Sequence, residues 1–122
     1  MHDSDFQSQY DKFLHLIDLE GAGKYTVAGG DRLSKIAEEM YGSHDNAYFF
    51  PLIMAASSSV VKNPDLIRPG MVLTIPDLGR NLRDTPHRDN VKGLLNAMAD
   101  LYRSRDKYPA TQAGLRAMSA KL

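Results

Sequence analysis

Apolar residues recur at helical spacing in the first 20 positions of the chain. They fall at i, i+4, i+7, i+8 and i+11, which places one stripe along a helix: Phe6, Tyr10, Phe13, Leu14 and Ile17. Ser4 and Gln7 have the spacing of a capping box, and Gly21-Ala22-Gly23 supplies residues that tolerate the end of a helix. The pattern therefore predicts an N-terminal helix that ends near Glu20.

The next segment predicts a short strand and two helices. Tyr25–Ala28 is aromatic and β-branched, and Gly29-Gly30 after it indicates a turn. We expect Asp31 to be the N-cap of the first helix, because its carboxylate can accept an exposed backbone N–H. The buried stripe and closing glycine of that helix are Leu33, Ile36, Ala37, Met40 and Gly42. A second helix is predicted from about Tyr48 to Ser57, with Pro51 in its first turn.

Two turns and a second strand follow. Asn63-Pro64-Asp65 and Arg68-Pro69-Gly70 both have the composition of turns. Val72–Ile75 is apolar and β-branched, and Pro76 ends it because proline cannot continue a strand ladder. The middle of the chain thus predicts the order strand, helix, helix, strand.

The last third of the chain predicts two more helices. Thr85 and Pro86 suit the N-cap and first position of a long helix. Its apolar stripe is Val91, Leu94, Leu95, Met98, Leu101 and Tyr102. Tyr108-Pro109 breaks the pattern, and a short final helix contains Leu115, Met118 and Leu122. The outer stripes are interpreted as covers on the rest of the chain, with a partner interface as the alternative.

Charge and composition exclude several classes of function. Residues 1–24 carry five acids and two bases, residues 25–79 six and four, and residues 80–122 four and nine, so the segments are −3, −2 and +5. The basic tail is interleaved with acids and poor in aromatics, which favours a solvated helix surface over nucleic-acid binding. No apolar run approaches the roughly 18 residues of a membrane span, and no signal peptide is visible.

The sequence offers no candidate residues for catalysis or for metal binding. The chain has no cysteine, and its histidines stand in separate predicted elements without metal-ligand spacing: His2, His15, His44 and His87. Glu38 and Glu39 are adjacent on a helix, so their side chains point about 100° apart and do not form an acid–base pair. We therefore expect no enzyme activity, no metal and no cofactor.

The middle segment resembles the LysM family of small carbohydrate-binding modules. The matching blocks occur in the family's order and spacing across about two-fifths of the chain: Tyr25-Thr26-Val27, Gly30 to Ala37, Tyr41-Gly42, Asn63 to Ile67, and Pro69 to Pro76. The resemblance implies an α+β fold of β-α-α-β order with a two-stranded antiparallel sheet. It divides the chain into an N-terminal helix and linker at 1–24, a LysM module at 25–77 and a C-terminal helical extension at 78–122.

The resemblance also implies a binding site between two loops. Carried over by motif, the first loop contributes Gly30, Asp31, Arg32 and Leu33, and the second contributes Asn63, Pro64, Asp65, Leu66 and Ile67. The family often has threonine where this chain has Arg32, which we expect to cover part of the groove or to contact a peptide-stem carboxylate. It favours asparagine where this chain has Ser57, and we expect a less firmly set second loop as a result.

The function implied is non-catalytic recognition of a glycan that contains N-acetylglucosamine, such as peptidoglycan, in the bacterial cell envelope. Such a module anchors its parent protein to the cell wall. The alternative is an assembly LysM of the phage-tail or cytoplasmic kind, which binds protein and forms homo- or hetero-oligomers through the flanking helices.

Overall fold

The computed structural model describes residues 17–122, and the predicted N-terminal helix lies outside this range up to residue 16. Residues 17–20 are not helical, so the predicted end of that helix near Glu20 is wrong, because the Asp18 N–H bonds to the Asn81 side chain instead of to a helical carbonyl. Ile17 is buried. The elements follow one another as β1, α1, a 3₁₀ helix, α2, β2, α3, α4 and α5. The strands are β1 (Gly23–Thr26) and β2 (Val72–Ile75). The helices are α1 (Leu33–Tyr41), the 3₁₀ helix (Asp45–Phe49), α2 (Phe50–Ala56), α3 (Leu78–Asn81), α4 (Thr85–Ser104) and α5 (Pro109–Lys121). This confirms the predicted α+β class and the strand, helix, helix, strand order of the middle segment.

The sheet consists of β1 and β2, which pair antiparallel from Gly23 opposite Ile75 to Thr26 opposite Val72. β1 begins and ends two residues earlier than the predicted 25–28, because Gly23 already has a partner on β2. Ala28 leaves the ladder since its N–H donates to the Asp31 carboxylate instead. The prediction of β2 is confirmed at both ends.

The first helix, α1, lays Leu33, Ile36 and Ala37 into the core, and Gly42 ends it in the left-handed conformation at φ 82°. Met40 was predicted to share this buried face, and that is wrong, because 41% of it is exposed. Tyr41, the last residue of the helix, is half-buried and packs against the core instead. Its ring packs edge-on against Phe49, and its hydroxyl donates to the Pro76 carbonyl at 2.8 Å.

The second helical segment starts earlier than predicted, as the 3₁₀ helix, and continues into α2 with Pro51 in the first turn. Six of the seven residues of α2 are buried. A helix that is apolar all round belongs at the centre of a fold, between other elements. α2 indeed packs against α1, β2 and α4.

The C-terminal helices complete the same core. The whole predicted stripe of α4, from Val91 to Tyr102, is buried, which confirms its interpretation as a cover. The predicted cap of α4 at Thr85 is wrong by one residue, because the Asp84 carboxylate accepts the His87 N–H at 3.0 Å. α5 packs on α4 and on the 3₁₀ helix. There the ring of Tyr48 occupies the space that a side chain at Gly114 would need.

A polar network joins the segment before β1 to α3, a four-residue helix too short to show any period in the sequence. Asn81 is buried, and its amide accepts the Asp18 N–H at 2.9 Å and donates to the carbonyls of Asp18 and Asp77 at 3.0 and 2.9 Å. Arg83 and Arg80 pair with the Asp18 carboxylate. The hydrogen bonds that the Asp18 carboxylate accepts, first from Arg83 and then from the Glu20 N–H and Arg80, hold the pKa of Asp18 well below its usual value. We call this group the Asn81 network.

Candidate functional site

The first loop of the candidate site, residues 27–32, is closed by Asp31. Its carboxylate accepts the Ala28 N–H at 2.7 Å and the Tyr25 hydroxyl at 2.8 Å. These two bonds lower the pKa of Asp31, the Ala28 bond more strongly. Gly30 turns the chain at φ 85°, a conformation that side chains disfavour. The loop therefore presents a fixed backbone toward the start of α1.

The prediction that Asp31 caps α1 is wrong. Arg32 occupies the N-cap position, with extended backbone and no side-chain bond to the helix. The Asp31 carboxylate is engaged on the strand side, where Ala28 and Tyr25 offer two donors at once. Two donors outweigh the single helical N–H that a cap would satisfy.

The second loop, residues 61–71, turns at Asn63. The Asn63 side chain accepts the Asp65 N–H at 2.9 Å, and its carbonyl accepts the Leu66 N–H at 3.0 Å. Pro64 is buried at the base of the turn, whereas Leu66 is 53% exposed. At its far end the loop rejoins the sheet, because Val27 bonds to Met71 and Gly70.

Ser57 lies where α2 ends and this region begins, and its side chain bonds to β2, so the expectation of a less firmly set second loop stays a prediction. Ser57 is buried, and its hydroxyl accepts the Thr74 N–H at 2.9 Å and donates to the Thr74 carbonyl. Its own carbonyl accepts the N–H groups of Val60 and Val61. The end of α2 is thus tied both to β2 and to the start of the second loop.

The two loops meet around one cavity of about 480 Å³, which we call the cleft. Six of the nine residues assigned by resemblance line it: Asp31, Arg32, Leu33, Pro64, Asp65 and Ile67. Gly30, Asn63 and Leu66 do not line it. The volume falls in the range of roughly 300–1,000 Å³ typical of small-ligand sites.

A third side of the cleft comes from outside the two loops. Its members are Ser34 of α1, Phe50 of α2, and Tyr102, Tyr108 and Thr111 of the C-terminal segment. Sequence reasoning missed all five. The pattern identified Tyr108-Pro109 as a break between helices, but nothing in the spacing indicates that this break lies over the two loops.

The charges around the cleft are mixed. Arg32 is exposed in its wall, and Asp65 pairs with Lys107 at 3.7 Å. Tyr102 is buried beneath them, and that burial, aided by the charge of Asp65, raises the pKa of its phenol. At neutral pH the tyrosine is uncharged, so the ionic groups that line the cleft are Asp31, Arg32 and Asp65.

Among residues 17–122, no group of three or more histidine, cysteine, aspartate or glutamate side chains is placed to hold a metal ion. None of the helices described there combines the length and hydropathy needed to cross a membrane.

Comparison with known proteins gives two partial similarities. The chain is 45% identical over 53 residues to the potassium binding protein Kbp of Escherichia coli, covering 43% of this chain and 34% of that protein. It is 48% identical over 52 residues to an uncharacterized protein of Deinococcus radiodurans, covering 43% of this chain and 19% of the relative. The chain thus spans about a third or less of the length of the relatives it matches. No protein-family model and no solved structure matches it.

Proposed function

We propose that this chain contains a LysM-type module that binds a glycan containing N-acetylglucosamine, such as peptidoglycan, without catalysing a reaction. One observation supports the proposal most. The two loops assigned by resemblance, which are about 30 residues apart in the sequence, line the same cleft with six of their nine assigned residues.

The surface of the cleft suits the chemistry of an N-acetylated sugar. A pyranose ring has an apolar C–H face, and Ile67, which is partly exposed at the cleft, offers apolar surface to receive it, with the buried Leu33 and Pro64 in the wall beside it. Its acetamido group and hydroxyls need hydrogen-bonding partners, which backbone groups of the two loops can supply. Because an open cleft leaves much of the sugar hydrated, one module should bind with micromolar to millimolar affinity. Firm attachment would then require several modules in one assembly.

Arg32 favours peptidoglycan over an uncharged polymer. Its side chain belongs to the wall of the cleft and is exposed, and the cavity stays open beside it. A guanidinium in that position can pair with a carboxylate of the peptide stem, which chitin lacks. The role we propose is attachment of a parent protein to the bacterial cell envelope, periplasmic or wall-associated.

A second candidate is an assembly module, cytoplasmic or phage-tail-like, that binds protein. The exposed Leu66 beside the cleft favours it, because an apolar side chain at the tip of a loop can enter a partner's pocket. The relative's name adds potassium as a ligand to test. Since the match covers about a third of that protein, we include potassium as an experimental variable.

A pull-down with insoluble peptidoglycan tests the proposal. We expect the wild-type chain to be retained, and Ile67→Asp to weaken retention about tenfold or more, because a carboxylate would be desolvated against the sugar face. Leu19→Asp is the matched control, since Leu19 is similarly apolar and 50% exposed but precedes β1 at the opposite end of the sheet.

Equal retention of Ile67→Asp and wild type would contradict the proposed site. No retention of the wild type, in buffers of either potassium or sodium, would refute glycan binding. Concentration-dependent oligomers in light scattering would then favour the assembly candidate.

A further inference from the structure

The turn between α4 and α5, residues 105–108, has an unusual backbone. Asp106 and Tyr108 both lie at φ 55°, and in the range 17–122 they are the non-glycine residues with positive φ. This conformation is disfavoured for a bulky side chain, because its Cβ approaches the following carbonyl oxygen. Tyr108 also precedes Pro109, which disfavours the helical alternative. Residues kept in such conformations are concentrated at functional sites.

Hydrogen bonds on both sides hold the turn in place. The Lys107 N–H donates to the Tyr102 carbonyl at 2.9 Å, which closes the end of α4. Gln112 donates from its backbone to the Tyr108 carbonyl at 2.9 Å and from its side chain to the Lys107 carbonyl at 2.7 Å. The Lys107 ammonium reaches the Asp65 carboxylate, so the turn is also connected to the second loop of the cleft.

This geometry keeps the ring of Tyr108 at the cleft. The ring packs nearly perpendicular to Tyr102, with centroids 5.1 Å apart, and the residue remains 47% exposed. Thr111, in the first turn of α5, also lines the cavity and carries a hydroxyl. An aromatic ring that is rigid, partly exposed and in the same cavity as a hydroxyl can receive a sugar ring while the hydroxyl bonds one of its substituents.

We propose that this turn is a third wall of the glycan site and that the ring of Tyr108 stacks on the pyranose and sets which sugar is accepted. The inference rests on the proposed function and extends it beyond the two loops. A glucose-configured pyranose has equatorial substituents and flat C–H faces, so it fits against the ring. A galactose-configured sugar has an axial hydroxyl on one face, so it can stack on the ring only through its other face, and a wall that receives the hydroxyl-bearing face selects against it.

Calorimetric titration with the soluble tetramer of N-acetylglucosamine tests the wall. We expect Tyr108→Gly to raise Kd about tenfold and Tyr108→Phe to stay within about twofold, because the ring and not the hydroxyl makes the contact. Asp106→Gly is the matched control, since it relieves the same backbone conformation at a residue that does not line the cleft. Its Kd should equal that of the wild type, and the melting temperature of each variant confirms that it is folded.

Discrimination between sugars gives a reading that a purely structural role would not change. We expect the wild type to bind N-acetylglucosamine oligomers more tightly than N-acetylgalactosamine oligomers, and Tyr108→Gly to reduce that ratio. If Tyr108→Gly binds as the wild type does while Ile67→Asp does not bind, the third wall is refuted and the two-loop site stands. If the wild type itself fails to bind, both proposals fall.

A tryptophan at the wall provides a direct readout, because the chain has no tryptophan of its own. We expect the emission of Tyr108→Trp to change on addition of the tetramer and to saturate with the calorimetric Kd. Leu19→Trp, at the opposite end of the sheet, should report no change. Saturable binding by calorimetry with unchanged emission from Tyr108→Trp would overturn the inference.

Discussion

The two ends of the small sheet are held by different kinds of contact. At the end where Gly23 pairs with Ile75, the Asn81 network joins residues more than 60 positions apart through a buried amide and two arginines. At the end where Thr26 pairs with Val72, Asp31 and Asn63 each close their own loop by bonds to near neighbours. The first end resists separation of distant segments, whereas the second leaves two shaped loops with a cavity between them.

This difference indicates a division of labour along one short sheet. A loop closed by local bonds keeps its shape without being covered by other segments, and such loops commonly carry function. The opposite end needs long-range bonds, because it holds the segment before β1 against the body of the protein. Changes at the two ends should therefore affect different measurements.

The largest effect on stability is expected from Asn81→Ala. The change leaves one partly buried N–H and two carbonyls without the Asn81 side-chain amide, which should lower the free energy of unfolding by about 3 kcal/mol. Urea denaturation measures this loss. Glycan affinity of the folded fraction should be unaffected, and a loss below about 1 kcal/mol would show that the network is dispensable.

Gly114→Ala should have the next largest effect. We expect the free energy of unfolding to fall by about 2 kcal/mol, because the added methyl group overpacks against Tyr48, and this outweighs the better helix propensity of alanine. Because α5 carries Thr111, the displacement should also weaken glycan binding. A double-mutant cycle with Tyr48→Ala supplies the control. In that background Gly114→Ala should be neutral or stabilising, and an equal loss in both backgrounds would rule out the steric explanation.

Acid should weaken both ends. Asp18 and Asp31 have lowered pKa values in the folded protein, so their stabilising contribution is present above the ordinary aspartate pKa and is lost as pH falls through and below it. The melting temperature should therefore drop on acidification below about pH 4. In Asp18→Asn, the melting temperature should fall less on acidification than it does in the wild type. An unchanged acid profile in this variant would show that the arginine pairs contribute nothing measurable.

The smallest effect is expected from Lys107→Met, which removes the ion pair with Asp65 but retains an unbranched side chain. Exposed pairs of this kind contribute about 0.5 kcal/mol or less. Thermal melts at low and high salt measure the effect, and the wild-type advantage should disappear at high salt. A loss well above 1 kcal/mol would mean that the pair anchors the turn of residues 105–108.

The sequence predicted elements correctly where the spacing of apolar residues agrees with the residues that end a helix or strand. No tertiary information was needed to predict the strand Val72–Ile75, which Pro76 ends, or the buried stripe of α4. The role of Asp31 could not be predicted, because whether a carboxylate caps a helix or closes the preceding turn depends on where Ala28 and Tyr25 lie in space. The prediction of the α4 N-cap was wrong for a similar reason, since Asp84 and Thr85 are both good cap residues.

The candidate site was predicted in part. Resemblance identified two loops, and the structure brings most of their assigned residues together. The side formed by Tyr102, Tyr108 and Thr111 escaped prediction, because only the packing of the C-terminal helices onto α2 places these residues over the loops. Leu66 was assigned through motif position alone, and its outward direction at the tip of the turn depends on the bond of its N–H to Asn63.

The nearly complete burial of α2 has a consequence for any attempt to use the proposed module on its own as a fusion tag. Phe50 lies against Tyr102, and the core runs without interruption from the two loops into α4 and α5. A fragment cut after residue 77 would expose that aromatic surface to water and invite aggregation. The shortest practical fusion partner therefore carries its C-terminal helices with it.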